Sequence, residues 1–317
     1  MSGETIHVGN LTCTPGNKTR GLLEVCGSDL KLPVTIIAGA KPGPTVAITG
    51  GTHGGEYPGI ETAIRLARSL EPGDVSGCVI IVHPVNITAF YARSQYVVPE
   101  DGRNLNRMYP GRARGTFSER IAYTVFNEVM ARADFYLDLH GGDIHESLTP
   151  FVLYPTACAP EVAEKSRAAA AVMGIPIVLG SLSINGTFGA AAAKGIPGLL
   201  AEIGGCGRWN EEEVAQYLRA VHNVLRHLGV LAGPVADLGK PTFYPRMGGV
   251  NAEQNGCWYP CVGLGDKVRE GDKIGEIRDF FGEKLADYRA PANGVIVYVV
   301  TSLAITAGDP LIGMALA

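Results

Sequence analysis

The 317-residue sequence predicts an α/β fold built on a mixed, mostly parallel sheet with helices on both faces, followed by a small all-β, barrel-like domain. Three observations carry that expectation. Short apolar runs punctuated by glycine alternate with stretches of helical periodicity over the first two-thirds of the chain. Several runs, such as Thr45 to Thr49 and Val79 to Val82, read as strands buried on both faces of a parallel sheet. Past Gly233-Pro234 the helical spacing disappears, and short alternating segments separated by Gly-Asp, Gly-Glu and Pro-Ala-Asn-Gly turns replace it. The expected division is therefore residues 1–233 and 234–317, the second segment being long enough for a small domain.

Each element follows in order. Thr5 to Ile37 alternates, which predicts an N-terminal hairpin or edge strands. Pro42-Gly43-Pro44 is expected to break the chain before the strand at Thr45 to Thr49. Ile60, Ala63, Ile64, Leu66, Ala67 and Leu70 then recur at helical spacing, predicting a helix over 57–70. Cys78 to His83 is the next buried strand. The polar stretch from Asn86 to Thr116 reads as a long functional loop. Ser118 is the expected cap of a helix reaching Arg132, and Asp134 to Leu139 a strand delivering His140. Phe151 to Tyr154 (strand), Ala159 to Met173 (Ala-rich helix), and Ile175 to Leu179 and Gly198 to Ile203 (strands) continue the alternation. Glu211 to Leu228 is an amphipathic helix capped by Asn210.

Composition removes several functions. Apolar residues make up 46% of the chain, yet no apolar run approaches the roughly 20 residues of a membrane helix. Net charge is −4 without a basic stripe, which argues against a nucleic-acid partner. Seven scattered cysteines and an N-terminus without signal-peptide character lead to the expectation of a cytoplasmic protein with reduced thiols. A homo-oligomer is compatible with the sequence but not encoded in it.

Four segments carry chemistry. In GTHGGEYPG (51–59), between a strand and a helix, His53 and Glu56 can turn toward one ion, and the glycines let the backbone bend close to it. In DLHGG (138–142), Asp138 and His140 share one side of a strand, so Asp138 can support His140 from behind. Glu202, in an otherwise apolar strand (Leu200-Ala201-Glu202-Ile203), is costly unless paired or functional, and beside an activated water it can act as general base. The loop at 101–111 gathers Arg103, Asn104, Asn106 and Arg107, a set suited to a carboxylate or a developing oxyanion. Three of these segments end predicted strands, where α/β sheets place their sites. No G-x-S-x-G elbow, Walker-type loop or strand-borne G-x-G-x-x-G competes.

The order GTHGGEYPG, GRNLNRMYPG (102–111), DLHGG and GIPGLLAEIGG (195–205) resembles the zinc carboxypeptidase superfamily, and more closely the succinylglutamate desuccinylase/aspartoacylase family. The resemblance covers about residues 45–230. It implies one zinc ion held by His53, Glu56 and His140, Glu202 as general acid/base, and Asn106 and Arg107 on the substrate carboxylate. It also implies small N-acylated amino acids as substrates, and a further arginine for the oxyanion, for which Arg93 and Arg103 are alternatives. The C-terminal part resembles biotinyl/lipoyl-type barrel segments, but Lys284 lacks the flanks of a modified lysine, so an unmodified barrel that caps the site or builds an oligomer interface is expected.

The sequence thus predicts a zinc-dependent deacylase of N-acyl amino acids. The alternatives are a carboxypeptidase acting on peptide C-termini and a non-catalytic binding protein on the same fold.

Overall fold

The computed structural model describes residues 4–317. A small hairpin, Ile6–Val8 with Leu11–Cys13, precedes the main sheet. The strands of that sheet follow in order: β1 (Asn17–Glu24), β2 (Lys31–Ala38), β3 (Lys41–Gly50), β4 (Ser76–Val82) and β5 (Phe135–His140). A short strand, β6 (Glu146–Leu148), leaves it. The chain then re-enters through β7 (Phe151–Pro155), β8 (Ile177–Ser181), β9 (Gly198–Glu202) and β10 (Thr242–Tyr244). The nine strands lie in the order β10-β8-β7-β9-β5-β3-β4-β2-β1. Five of the eight neighbouring pairs are parallel, and β7 runs antiparallel to β9.

Helices α1 (Tyr57–Ser69), α2 (Ile87–Ala92), α3 (Phe117–Glu128), α4 (Pro160–Ala171), α5 (Thr187–Ala193) and α6 (Glu211–His227) fill the connections. The side-chain alternation of the strands sorts them onto two faces. Phe135, Leu137 and Leu139 of β5 join Leu66 of α1, Ala169 of α4 and Tyr217 and Val224 of α6 in one core. Tyr136 faces the other core, with Ile121 and Val125 of α3 and Phe188 and Ala191 of α5. The expected mostly parallel sheet covered on both faces is therefore the architecture observed.

After β10 the described residues form strands and connections without a helix. They are β11 (Arg246–Asn251), β12 (Gly256–Pro260), β13 (Lys273–Arg278), β14 (Lys284–Arg289), β15 (Gly294–Val300) and β16 (Pro310–Leu316), with two-residue strands at Lys267–Val268 and Ala304–Ile305. One sheet has the order β6-β15-β16-β11, the other β14-β13-β12 with Ala304–Ile305 at its edge. The two parts are laced together. Thr242–Tyr244, past residue 233, extends the large sheet beside β8, and Glu146–Leu148 pairs with β15.

Four local expectations are corrected. Pro42-Gly43-Pro44 lies inside β3 as an irregularity in its pairing with β4: the register shifts between Lys41 and Thr45, and regular pairing continues from Thr45. The segment 86–116 is not a bare loop: it holds α2, a two-residue hairpin (Val97–Val98 with Arg103–Asn104) and a 3-10 turn at Leu105–Arg107. Thr116, not Ser118, caps α3. Its hydroxyl accepts from the Glu119 N–H while Glu119 Oε2 accepts from the Thr116 N–H at 2.8 Å, a reciprocal capping box. That helix ends at Glu128, and a 3-10 turn carries the chain to Arg132.

Candidate active site

The site lies beyond the carboxyl ends of three adjacent parallel strands, β3, β5 and β9. His140 ends β5 and is paired in register with Glu202, which ends β9. His53 and Glu56 lie in the turn between β3 and α1, close to β5 because Gly59 lets α1 approach it. A Cβ on Gly59 would come within 2.5 Å of the Leu139 carbonyl oxygen.

His53, Glu56 and His140 are all buried, and their potential ligand atoms lie within 4.8 Å of one another. Glu56 bridges the two rings: its Oε1 is 2.7 Å from His53 Nδ1 and its Oε2 2.9 Å from His140 Nδ1. The outer nitrogen of each ring is engaged elsewhere. His140 Nε2 meets Asp138 Oδ2 at 2.9 Å, and His53 Nε2 meets Asn104 Oδ1 at 3.1 Å. The acceptors at both Nε2 positions would keep the protons there once an ion displaces any proton from the Nδ1 atoms, leaving both Nδ1 lone pairs to face it. Two neutral imidazoles and one carboxylate are the donor set of a catalytic zinc site, which takes three protein ligands and leaves room for water. The residues present therefore fit a divalent metal ion of zinc type.

The local field agrees. Burial pushes the His140 imidazole down, but the Asp138 and Glu56 carboxylates outweigh it and raise it well above its usual value. His53 is likewise raised, Glu56 overcoming burial. Burial opposes the Glu56 carboxylate, and the two imidazoles still hold it below the usual range. This point favours positive charge. Asp138 is fully buried and held low despite burial, by His140 and by hydroxyls of Thr187 and Thr49, each 2.6 Å from it.

His53, Glu56 and His140 line a cavity of about 550 Å³ together with Glu202, Asn104, Asn106 and Arg107. Burial, then the Glu56 charge, raises the Glu202 carboxyl well above its usual value, and its Oε2 is buried without a hydrogen-bond partner. A carboxyl raised in this way holds a proton more readily than an ordinary one and has a free oxygen to hand it on. Asn106 is buried, its Oδ1 accepting from the Thr187 N–H at 3.0 Å, and Arg107 beside it is exposed.

Neither candidate for the oxyanion arginine reaches the cavity. Arg93 closes α2 in a left-handed conformation (φ 52°) and lines a separate surface pocket with Tyr91 and Trp209. Arg103 is exposed on its short strand, because alternation turns its neighbour Asn104 inward instead.

Several lining residues have a place in the site that the sequence does not reveal. Asn104 was inside a quoted motif but was not assigned to His53. Tyr96 (φ 56°) stands edge-on to the His53 ring with centroids 5.6 Å apart. Its hydroxyl donates to Glu146 of β6. Tyr298 of β15 arrives from the C-terminal sheet, with Met247 and Asn251 of β11. Only the alternation of its strand marked Tyr298, and alternation names a face, not a distant site.

A mostly parallel sheet carrying a His–Glu–His set that could hold a metal ion at its strand ends, under a β-sheet cap, defines an α/β protein with a candidate catalytic centre. The family model described as the succinylglutamate desuccinylase/aspartoacylase catalytic domain matches residues 42–228, and the chain belongs to that family. Among its relatives is the N-alpha-acetyl-L-2,4-diaminobutyric acid deacetylase of Halomonas elongata, 32% identical over 289 residues, 88% of this chain and 84% of that protein. The product-bound structure of the ectoine utilization protein EutE (DoeB) from Ruegeria pomeroyi is similar with a TM-score of 0.87 and 26% identity, covering 100% of this chain and 99% of that one. The succinylglutamate desuccinylase/aspartoacylase structure from Rhodobacter sphaeroides has a TM-score of 0.83 and 29% identity over 94% of each chain. The proteins it resembles are thus amide-hydrolysing deacylases. No helix among the described residues is long and apolar enough to cross a membrane.

Proposed function

We propose that this protein is a zinc-dependent deacylase that hydrolyses the amide bond of a small N-acyl amino acid, acting in the cytoplasm. The observation that carries this reading is the pair of imidazoles with both Nδ1 atoms turned to Glu56 and both Nε2 atoms held from behind. Zinc bound by His53, Glu56 and His140 would supply Lewis acidity, lowering the pKa of a water and polarising the amide carbonyl. Glu202, with its unpartnered oxygen, takes a proton from the attacking water and returns it to the departing nitrogen as the C–N bond breaks. The products are a carboxylate and a free amine. Asn106 and Arg107 orient the substrate carboxylate, a planar fork suiting it.

The cap lined by Tyr298, Met247 and Asn251 supports a small substrate over a peptide, since a chain of residues needs an open cleft. Membership of a deacylase family supports an enzyme over a binding protein.

The test combines elemental analysis with amine release from acetyl- and succinyl-amino acids, with and without chelator. About one zinc per chain and chelator-sensitive release are expected. Full activity in zinc-free protein would overturn the zinc reading, and cleavage of dipeptides alone would favour the carboxypeptidase.

A further inference from the structure

The turn between β13 and β14 ends in two phenylalanines that the fold does not use. Phe280 and Phe281 are each 92% exposed, more than any other large apolar side chain among the described residues. Their turn is nonetheless fixed. Asp279 Oδ1 accepts from the N–H groups of Phe281 and Glu283, each at 2.9 Å, and the Asp279 N–H donates to the Glu283 carbonyl at 2.9 Å. Gly282 supplies the left-handed conformation (φ 86°) that closes it. Two rings on a turn already ordered lose little conformational freedom when a partner covers them. Acidic groups flank them: Asp279 on one side and Glu283, exposed, on the other.

On the large domain, away from the catalytic cavity, a surface pocket of about 620 Å³ has the complementary character. Tyr57, Phe90, Tyr91 and Trp209 give it an aromatic lining, and Tyr91 and Trp209 are 76% and 48% exposed. Tyr57 stands edge-on to Phe90 and Phe90 edge-on to Tyr91, the geometry in which aromatic rings accept further rings. Its rim is cationic. Arg93 and Arg208 line it, both exposed, whereas its one carboxylate, Glu61, is already paired with Arg65. Among the described residues neither Arg93 nor Arg208 forms an ion pair, and neither do Asp279 and Glu283. The acidic aromatic tip and the basic aromatic socket are both open to water in one chain, so neither fills the other within it.

The area decides how copies would meet. Two phenylalanines and the socket that receives them remove about 600–1,000 Å² from water, less than the about 1,200 Å² at which stable interfaces begin. Two such contacts reach it. Tip and socket are different patches, so a single contact would propagate from copy to copy, and a two-fold axis that exchanges both tips closes the assembly. We propose that the Phe280–Phe281 tip docks in the Tyr91–Trp209 socket of a second copy of this chain, two copies exchanging tips as a dimer. Arg93 and Arg208 then face the acidic flanks of the partner's tip, which fixes the partner's orientation. The contact is independent of the deacylase chemistry.

The experiment measures the mass of the full chain by light scattering and its dissociation by sedimentation at micromolar concentration. Wild type is expected to be a dimer. Phe280→Ser with Phe281→Ser, and separately Tyr91→Ala with Trp209→Ala, should each weaken dimerisation about 100-fold or more, circular dichroism showing that both remain folded. A second measurement needs no truncated side chain: a photoreactive benzoylphenylalanine at position 281 keeps the aromatic ring and records what it touches. Irradiation should give a cross-linked dimer whose bridge maps to α2 or to the segment 207–209. A monomeric wild type would overturn the proposal and leave both surfaces to a different protein. A bridge from one tip to the other, with the socket variant still dimeric, would overturn it in favour of tip-to-tip packing, and a dimer indifferent to both variants would place the interface elsewhere.

Discussion

At the residue scale the site separates holding a metal from moving a proton, and substitutions should separate them too. His140 offers a candidate ligand nitrogen and is itself held by Asp138. Glu202 touches neither ring in the hydrogen-bond network and keeps an oxygen unpartnered. Glu202→Gln is therefore expected to retain about one equivalent of zinc and to lose about 10²–10⁴-fold in kcat, measured by elemental analysis and amine release on the same preparation. His140→Ala should lose the metal itself. Asp138→Asn lies between these extremes. It leaves all three ligands in place but weakens the acceptor on His140 Nε2, so metal affinity in a chelator competition should fall about 10–100-fold. If E202Q lost zinc along with activity, the separation of roles would be wrong. The candidate ligands His53, Glu56 and His140 were legible in the sequence because each stands beside a glycine-rich strand end. Asn104, Tyr96 and Glu146 were not, since each is recruited through a side-chain contact between distant positions: Asn104 to His53, 51 residues apart, and Tyr96 to Glu146, 50 residues apart.

Elements, in turn, are positioned by close approaches and caps. Helix α1 reaches β5 only because residue 59 has no side chain. Gly59→Ala would drive a Cβ into the Leu139 carbonyl, shifting the helix start that carries Glu56 relative to His140. The expected result is a lower melting temperature together with weaker zinc binding, read by calorimetry and chelator competition. The loop at 101–111 has its own tether. Asp101 Oδ2 accepts from the Ser118 N–H at 2.8 Å and from its hydroxyl at 2.7 Å, tying the turn before Asn104 to the start of α3. Burial opposes the Asp101 carboxylate, yet the Ser118 donors hold it below its ordinary value of 3.8. A depressed carboxylate contributes stability above its unfolded pKa and loses it as pH falls through the folded one. Asp101→Ala should thus lower the melting temperature at pH 7, and its difference from wild type should shrink below about pH 4. Most helices and buried strands could be read from periodicity, α6 with its Asn210 cap among them. Helix α5 could not: Thr187 to Ala192 are buried throughout, so it has no polar face to produce a helical period.

For the molecule as a whole, the composition shift near residue 233 was visible, but the mutual exchange of strands across it was not. Strand β10 pairs with β8, whereas β6 leaves the first part to pair with β15. Pairings of that kind depend on contacts far apart in sequence, which local periodicity does not report. Their consequence is a shared core: Phe151, Ile177 and Leu179 from the large sheet are buried with Val297 and Ala315 from the C-terminal sheet. Tyr298, next to Val297, faces the cavity. We propose that residues 1–233 and 234–317 form the hydrolase and the β-domain respectively, and that neither is self-sufficient. A chain ending at residue 233 would expose Phe151, Ile177 and Leu179, each worth about 1.5–3 kcal/mol of burial, and leave the β8 edge without its neighbour. It is expected to aggregate or to melt far below the full chain, as gel filtration and thermal unfolding would reveal. A monodisperse, zinc-binding product would show the opposite, that the strand exchange is dispensable for folding. Deacylase activity in that shortened chain, with its preference for one side chain lost, would then assign the C-terminal sheet to substrate selection alone. Inactivity with zinc retained would assign it to closing the cavity over the scissile amide.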